Sequence, residues 1–137
     1  MLVLVQANVL TIGLNGKNEV LRELPIRLIN LQSPKMAASS LKSEKIDSVI
    51  SKWDLGDGQK GGFIKRLKRF KPDIPTIVFV RSGDSSEEIE ARSLGVSAVL
   101  TDDSSDELFI ETVANVLGLK GQILIKAITP AGINSAR

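Results

Sequence analysis

Asp73-Ile74-Pro75-Thr76-Ile77-Val78-Phe79-Val80 decides the fold. After the proline, Thr76 to Val80 form an unbroken run of β-branched and aromatic residues. A run without polar alternation is the mark of a parallel strand buried on both faces. Parallel strands need crossover connections, usually helices, so helical patterns should flank this run. Upstream, Phe63, Ile64, Leu67 and Phe70 fall at i, i+1, i+4 and i+7, one face of a helix that Pro72 and Pro75 close off. Downstream, Ser85-Ser86-Glu87-Glu88 matches a capping box that opens a short helix ending at Gly95.

Further out, the alternation continues. Val96 to Leu100 reads as a strand. Ser104-Ser105-Asp106-Glu107 is a second capping-box match, with Leu108, Ile110, Val113, Val116 and Leu117 as the inward stripe of the last helix. Toward the N-terminus, Ile46 to Ser51 is a strand. Ser33-Pro34 is an N-cap with proline at the first helical position, opening a helix to about Lys42 with Met36, Ala37 and Leu41 inward. Ile26 to Leu31 and Val9 to Ile12 are strands. Between them, Glu19 to Leu24 reads as a short helix with Val20, Leu21 and Leu24 on one face; its rival is a hairpin signalled by Asn15-Gly16. Such alternation predicts an α/β fold, a five-stranded doubly wound parallel sheet with helices on both faces. The domain would span 9–118. Residues 1–8 form an extension with a candidate extra strand at Leu2 to Val5. Residues 119–137 form another, with a candidate edge strand at 122–128 and then a tail or linker.

Composition narrows the chemistry. The 137-residue chain is 42% hydrophobic and 25% charged, as expected for one globular domain with a core. It has no cysteine and no histidine, which removes thiol chemistry, zinc-thiolate sites and the commonest general base. A net charge of +2 does not imply nucleic acid. No run approaches the ~20 apolar residues of a membrane span. The opening Met1 to Val5 lacks a basic flank and is a poor signal peptide, so the chain reads as cytoplasmic.

The order and spacing of Ile46-Asp47-Ser48-Val49-Ile50-Ser51, Trp53-Asp54-Leu55, Asp73 to Phe79, Gly83-Asp84 and Gly95-Val96-Ser97-Ala98-Val99-Leu100-Thr101 resemble the receiver domain of two-component response regulators. The resemblance runs from Val9 to about Leu117 and implies the flavodoxin-like receiver fold. It also implies a phosphotransfer site: an acidic, magnesium-binding pair after the first strand, an acceptor aspartate ending the third, a hydroxyl ending the fourth and a lysine ending the fifth. Metal and lysine offset the charge that builds on a transferring phosphoryl group. Here the acidic pair falls on Gly13-Leu14 or Leu14-Asn15, the acceptor on Lys52, the hydroxyl on Val80 with Ser82 close by, and the lysine on Asp102. The aromatic switch position falls on Val99. An ammonium group cannot become an acyl phosphate. The resemblance therefore implies a degenerate pseudo-receiver: no enzyme, no cofactor, no metal, acting by protein contact in signal transduction. Similar atypical receivers occur alone or at the front of larger proteins, including localisation ATPases of pilus-assembly systems. After Leu117 too few residues remain for a DNA-binding output domain.

Several residues carry competing readings. Lys52 and Asp102 exchange the family's charges, so a Lys–Asp pair could hold the switch loops without phosphate; the plainer reading is a solvated pair worth ~0–1 kcal/mol, or coincidence. Asp54, two residues past the acceptor position, is an alternative acceptor or an ordinary loop residue. Asp54, Asp57, Asp102 and Asp103 could crowd one end of the sheet around a cation, or be solvated loop acids. The glycines of Gly56-Asp57-Gly58-Gln59-Lys60-Gly61-Gly62 match neither common phosphate-binding loop. Lys60, Lys65, Arg66, Lys68, Arg69 and Lys71 cluster around one helix. That is a solvated face or an anion-binding patch, without the aromatic platform of specific nucleic-acid readers. The resemblance makes the Ser85 to Leu117 face the expected surface for a protein partner, and a homodimer through that face is allowed.

Overall fold

The computed structural model describes residues 7–119, and the candidate strands at Leu2 to Val5 and 122–128 lie outside them. Five parallel strands, β1 (Ala7–Ile12), β2 (Ile26–Leu31), β3 (Ser48–Lys52), β4 (Thr76–Val80) and β5 (Ala98–Thr101), form one sheet in the order β2-β1-β3-β4-β5. A 3₁₀ helix, Lys17–Glu23, joins β1 to β2. The α-helices α1 (Pro34–Ser43), α2 (Gly62–Phe70), α3 (Ser85–Ser93) and α4 (Asp106–Leu117) make the remaining crossovers and the last layer.

β4 is buried at every position, as its unbroken apolar run requires. The sheet divides the core into two layers. Leu10, Val49, Val78 and Val80 pack under α1, α2 and α3 through Ala37, Leu41, Phe63, Ile64, Leu67 and Ala91. Val9, Ile50, Ile77 and Phe79 pack on the other side, against Leu21 of the 3₁₀ helix and Phe109 and Val113 of α4. There Phe79 and Phe109 meet edge to face at 5.0 Å. That geometry lets the positive ring edge face the negative ring plane.

Several sequence expectations shift by a residue or two. The Glu19 to Leu24 segment is helical rather than a hairpin, but it is a 3₁₀ helix starting at Lys17. Gly16, at φ 92°, enters it in the left-handed region. β3 runs Ser48–Lys52 rather than from Ile46: Asp47 N still donates to Asn8 O at 2.8 Å, but the return bond from Asn8 N goes to the Asp47 carboxylate at 2.7 Å. β5 starts at Ala98, since the Ser97 hydroxyl accepts from Thr76 N at 3.1 Å. Ser33 caps α1 as expected, accepting from Met36 N at 3.1 Å.

The two capping boxes are corrected. Asp84, not Ser85, caps α3, its Oδ1 accepting from Ser86 N and Glu87 N. Ser105 caps α4 by accepting from Leu108 N, so neither Glu88 nor Glu107 closes a box. Three residues expected inward point to solvent: Met36 is 56%, Phe70 54% and Leu108 44% exposed. In α4, Phe109 takes the buried place assigned to Leu108.

Candidate functional site

Lys52 is the last residue of β3 and pairs with Phe79 of β4. The backbone then turns away: Trp53 N donates to Phe79 O, and Gly61 N returns to Trp53 O, both at 2.8 Å. The loop between them closes with Gly61 against the buried Trp53 ring. Gly61 has φ 74°, and a Cβ there would sit 2.2 Å from the Trp53 ring. Only glycine fits both the left-handed backbone and the close approach.

This loop bounds an open cavity of about 300 Å³ at the C-terminal edge of the sheet, lined by Gly13, Asn15, Gln32, Lys52, Asp54, Leu55 and Gly56. Such edges are where open α/β sheets bind ligands. Four sequence-derived positions, Gly13, Asn15, Lys52 and Asp54, therefore share one cavity. The other three do not join it. Leu14 is buried in the core layer with Phe79 and Phe109, and Val80 is buried in the opposite layer. Asp102 follows β5 and is absent from the lining.

No ion pair joins Lys52 to Asp102, and among the described residues Lys52 has no carboxylate within ion-pair range. A different lysine reaches β5. Lys17 Nζ donates to the Asp102 carbonyl at 2.8 Å and lies 5.5 Å from the centre of the Phe79 ring. The exchanged-charge pair is thus replaced by a lysine that the sequence reading did not single out. The Asn15-Gly16 turn was its only signal, since it ends β1 abruptly and starts a helix at the sheet edge.

Asp54 behaves as a turn residue, its Oδ1 accepting from Gly56 N at 2.9 Å. Asp57 does the same for Gln59 N. The four loop aspartates do not converge: the described residues contain no group of three or more acidic side chains placed to hold a metal ion.

On the β4–β5 side the loops are tied together. Asp103 Oδ2 accepts from Ser82 at 3.0 Å and Oδ1 from Thr101 Oγ1 at 2.5 Å. Ser104 Oγ accepts from Thr101 N at 3.1 Å. The Thr101 and then the Ser82 hydroxyl hold the Asp103 carboxyl below its ordinary value, with a smaller contribution from Lys17. Asp84 is lowered as well, first by the backbone N–H of Glu87 and also by Ser86.

Glu87 is nearly fully buried. Its Oε1 accepts from Arg81 N at 2.9 Å. Among the described residues its Oε2 has no hydrogen-bond partner, and Lys60 Nζ stands 3.9 Å away, an ion pair but too long for a hydrogen bond. Asp84-x-x-Glu87 carried this signal one residue ahead of the match made on Ser85.

In the basic cluster, Lys65 lies 3.6 Å from Glu90 of α3 and 5.9 Å from the Trp53 ring centre. Lys68 donates to Ile74 O and Arg66 to Gln59 Oε1, at 3.3 and 3.4 Å. Lys65, Arg66 and Arg69 are exposed and Lys68 is half-buried. The patch is therefore partly neutralised along its α3 side.

Strand order, parallel register and helix placement together define the flavodoxin-like fold of receiver domains. Solved structures agree. The chain is similar to the signal receiver domain of an HD domain-containing protein from Pseudomonas fluorescens Pf-5, with 19% identity, a TM-score of 0.73, and 85% of this chain and 98% of that one covered. A response regulator receiver protein from Burkholderia phymatum is 25% identical with a TM-score of 0.70, over 83% of this chain and 97% of that one. A CheY-like receiver domain protein from Methanospirillum hungatei JF-1 has the same fold at 10% identity, a TM-score of 0.72, and 85% and 98% coverage. No family model and no curated protein matches the sequence. No helix among the described residues is long and apolar enough to cross a membrane.

Proposed function

We propose that this chain is a pseudo-receiver, a phosphorylation-independent signalling or scaffold domain that works in the cytoplasm by protein contact and is not an enzyme. The observation that carries the reading is Lys52. It ends β3, lines the cavity where a receiver would hold its acceptor carboxylate, and faces Gly13 and Asn15 rather than an acidic pair. A cation there repels magnesium and cannot form an acyl phosphate. The Ser82–Asp103–Thr101 contacts support the same reading, because they tie the loop after β4 to the loop after β5 without phosphate. Protein contact through the Ser85 to Leu117 face, including a homodimer, belongs to this proposal.

Asp54 supports one alternative, since it lines the same cavity as Lys52. Incubation with acetyl phosphate and magnesium, followed by intact-mass measurement, separates the two. The pseudo-receiver predicts an unchanged mass. A single phosphoryl addition that Asp54→Asn removes would establish the alternative.

A further inference from the structure

The cationic side chains of α1 and α2 are Lys35, Lys42, Lys65, Arg66, Lys68 and Arg69, and neither helix contains an acidic residue. On the side of α2 that faces α3, the charge is answered within the molecule, with Lys60 near Glu87 at 3.9 Å and Lys65 near Glu90 at 3.6 Å. The side that faces α1 has no such answer. There a cavity of about 180 Å³, floored by Leu41, Phe63, Leu67 and Phe70, is rimmed by Lys42 and Arg66. Among the described residues neither cation meets a carboxylate. Met36 and Phe70, on the same two helices, leave more than half of their surface in water.

An apolar cavity with a cationic rim fits an acidic helix that presents one apolar anchor. The chain's outlying segments do not supply one. Residues 1–6 and 120–137 contain no Asp or Glu, and the latter bring Lys120, Lys126 and Arg137. α3 does supply one. Ile89 is 67% exposed, more than any other large apolar side chain among the described residues, and it stands between Glu88 and Glu90. The pairs those glutamates already make, with Arg92 at 3.0 Å and Lys65 at 3.6 Å, are solvent-exposed and weakly held.

We propose that the α1–α2 groove receives α3 of a second copy of this chain, with Ile89 in the apolar cavity and Glu88 and Glu90 facing Lys42 and Arg66. The two patches differ, so the contact is heterologous in its parts. A knob-defective chain and a groove-defective chain can then complement each other. The inference rests on the reading of the chain as a protein-contact domain, but not on the absence of phosphorylation.

Sedimentation equilibrium of the full chain tests it, with no phosphodonor present. Wild type should associate reversibly, more weakly at high salt. Ile89→Lys, and separately Lys42→Glu with Arg66→Glu, should each weaken association about tenfold or more. Circular dichroism should show that both variants remain folded, since all three residues lie at the surface. An equimolar mixture of the two variants should associate where neither does alone. Leu108→Lys, the same change at the exposed apolar residue of α4, should have no effect. A monomeric wild type, a mixture that stays monomeric, or equal loss in Leu108→Lys overturns the proposal. So does a monomeric wild type whose groove binds anionic vesicles. None of these results bears on whether Asp54 accepts phosphate, so this inference and the phosphorylation-independent reading fail separately.

Discussion

The two halves of the C-terminal sheet edge differ in how far their contacts reach. On the β1–β3 side the loop from Trp53 to Gly61 is held by its own short-range turns, Asp54 on Gly56 N and Asp57 on Gln59 N, and by an indole ring packed under a glycine, with an open cavity beside Lys52. On the β4–β5 side the loops are shaped by polar contacts: Ser82 and Thr101 on Asp103, Asp84 on the start of α3, Glu87 on Arg81, and Lys17 on Asp102. In a receiver that binds phosphate both halves must respond to one ligand. Here the half that would hold the ligand carries a cation, and the half that would respond is already bonded. The difference supports a molecule with one preferred loop arrangement.

The packed half should break most sharply at Gly61. Gly61→Ala forces a Cβ into the Trp53 ring at 2.2 Å and a side chain onto a left-handed backbone. Overpacking and the backbone cost together predict a loss of ~2–4 kcal/mol in urea denaturation. The polar half should break next at Glu87. Removing the carboxylate in Glu87→Ala leaves Arg81 N without its partner and should cost ~1–3 kcal/mol. Glu87→Gln keeps an acceptor and should cost less.

Acid should separate the halves. Asp103 and Asp84 have native pKa values below the ordinary 3.8. A carboxyl with a depressed native pKa adds stability that is fully present above its unfolded value and is lost as pH falls through the native one. The melting-temperature difference between wild type and Asp103→Asn should therefore be constant above 3.8 and shrink below it. The smallest effect belongs to Lys52. It has no ion-pair partner among the described residues, so Lys52→Met should change stability by no more than ~0.5 kcal/mol.

The fold was legible in sequence because parallel strands with both faces buried write their pattern without interruption. Thr76–Val80 shows this and was placed to the residue; the edge strand Ile26–Leu31 was placed as closely from its apolar residues alone, although Arg27 and Asn30 interrupt it and none of its residues is buried. Strand starts were not legible where a side chain takes one of the two pairing bonds, as Asp47 does with Asn8 and Ser97 with Thr76. Helical periodicity identified apolar faces but not where the neighbouring layer ends, so Met36, Phe70 and Leu108 were expected inside and stand in water. The capping boxes slipped because Asp84 and Ser105 compete with adjacent serines for the same N–H groups, and sequence spacing alone does not rank them. At the candidate site, the position of Lys52 could be read from strand order. Lys17 could not, because its contact with Asp102 spans 85 residues and depends on the turn of a 3₁₀ helix.

The central claim is that the edge beside Lys52 does not take up a phosphoryl group. Titration of the isotope-labelled chain with beryllofluoride and magnesium, followed by amide chemical shifts, tests it most directly. The account predicts no saturable change at Gly13, Lys52, Asp54 or Gly56, and none at Ser82, Thr101 or Asp103. A saturable, magnesium-dependent shift that begins around Asp54 and reaches the Ser82–Asp103 contact would contradict it.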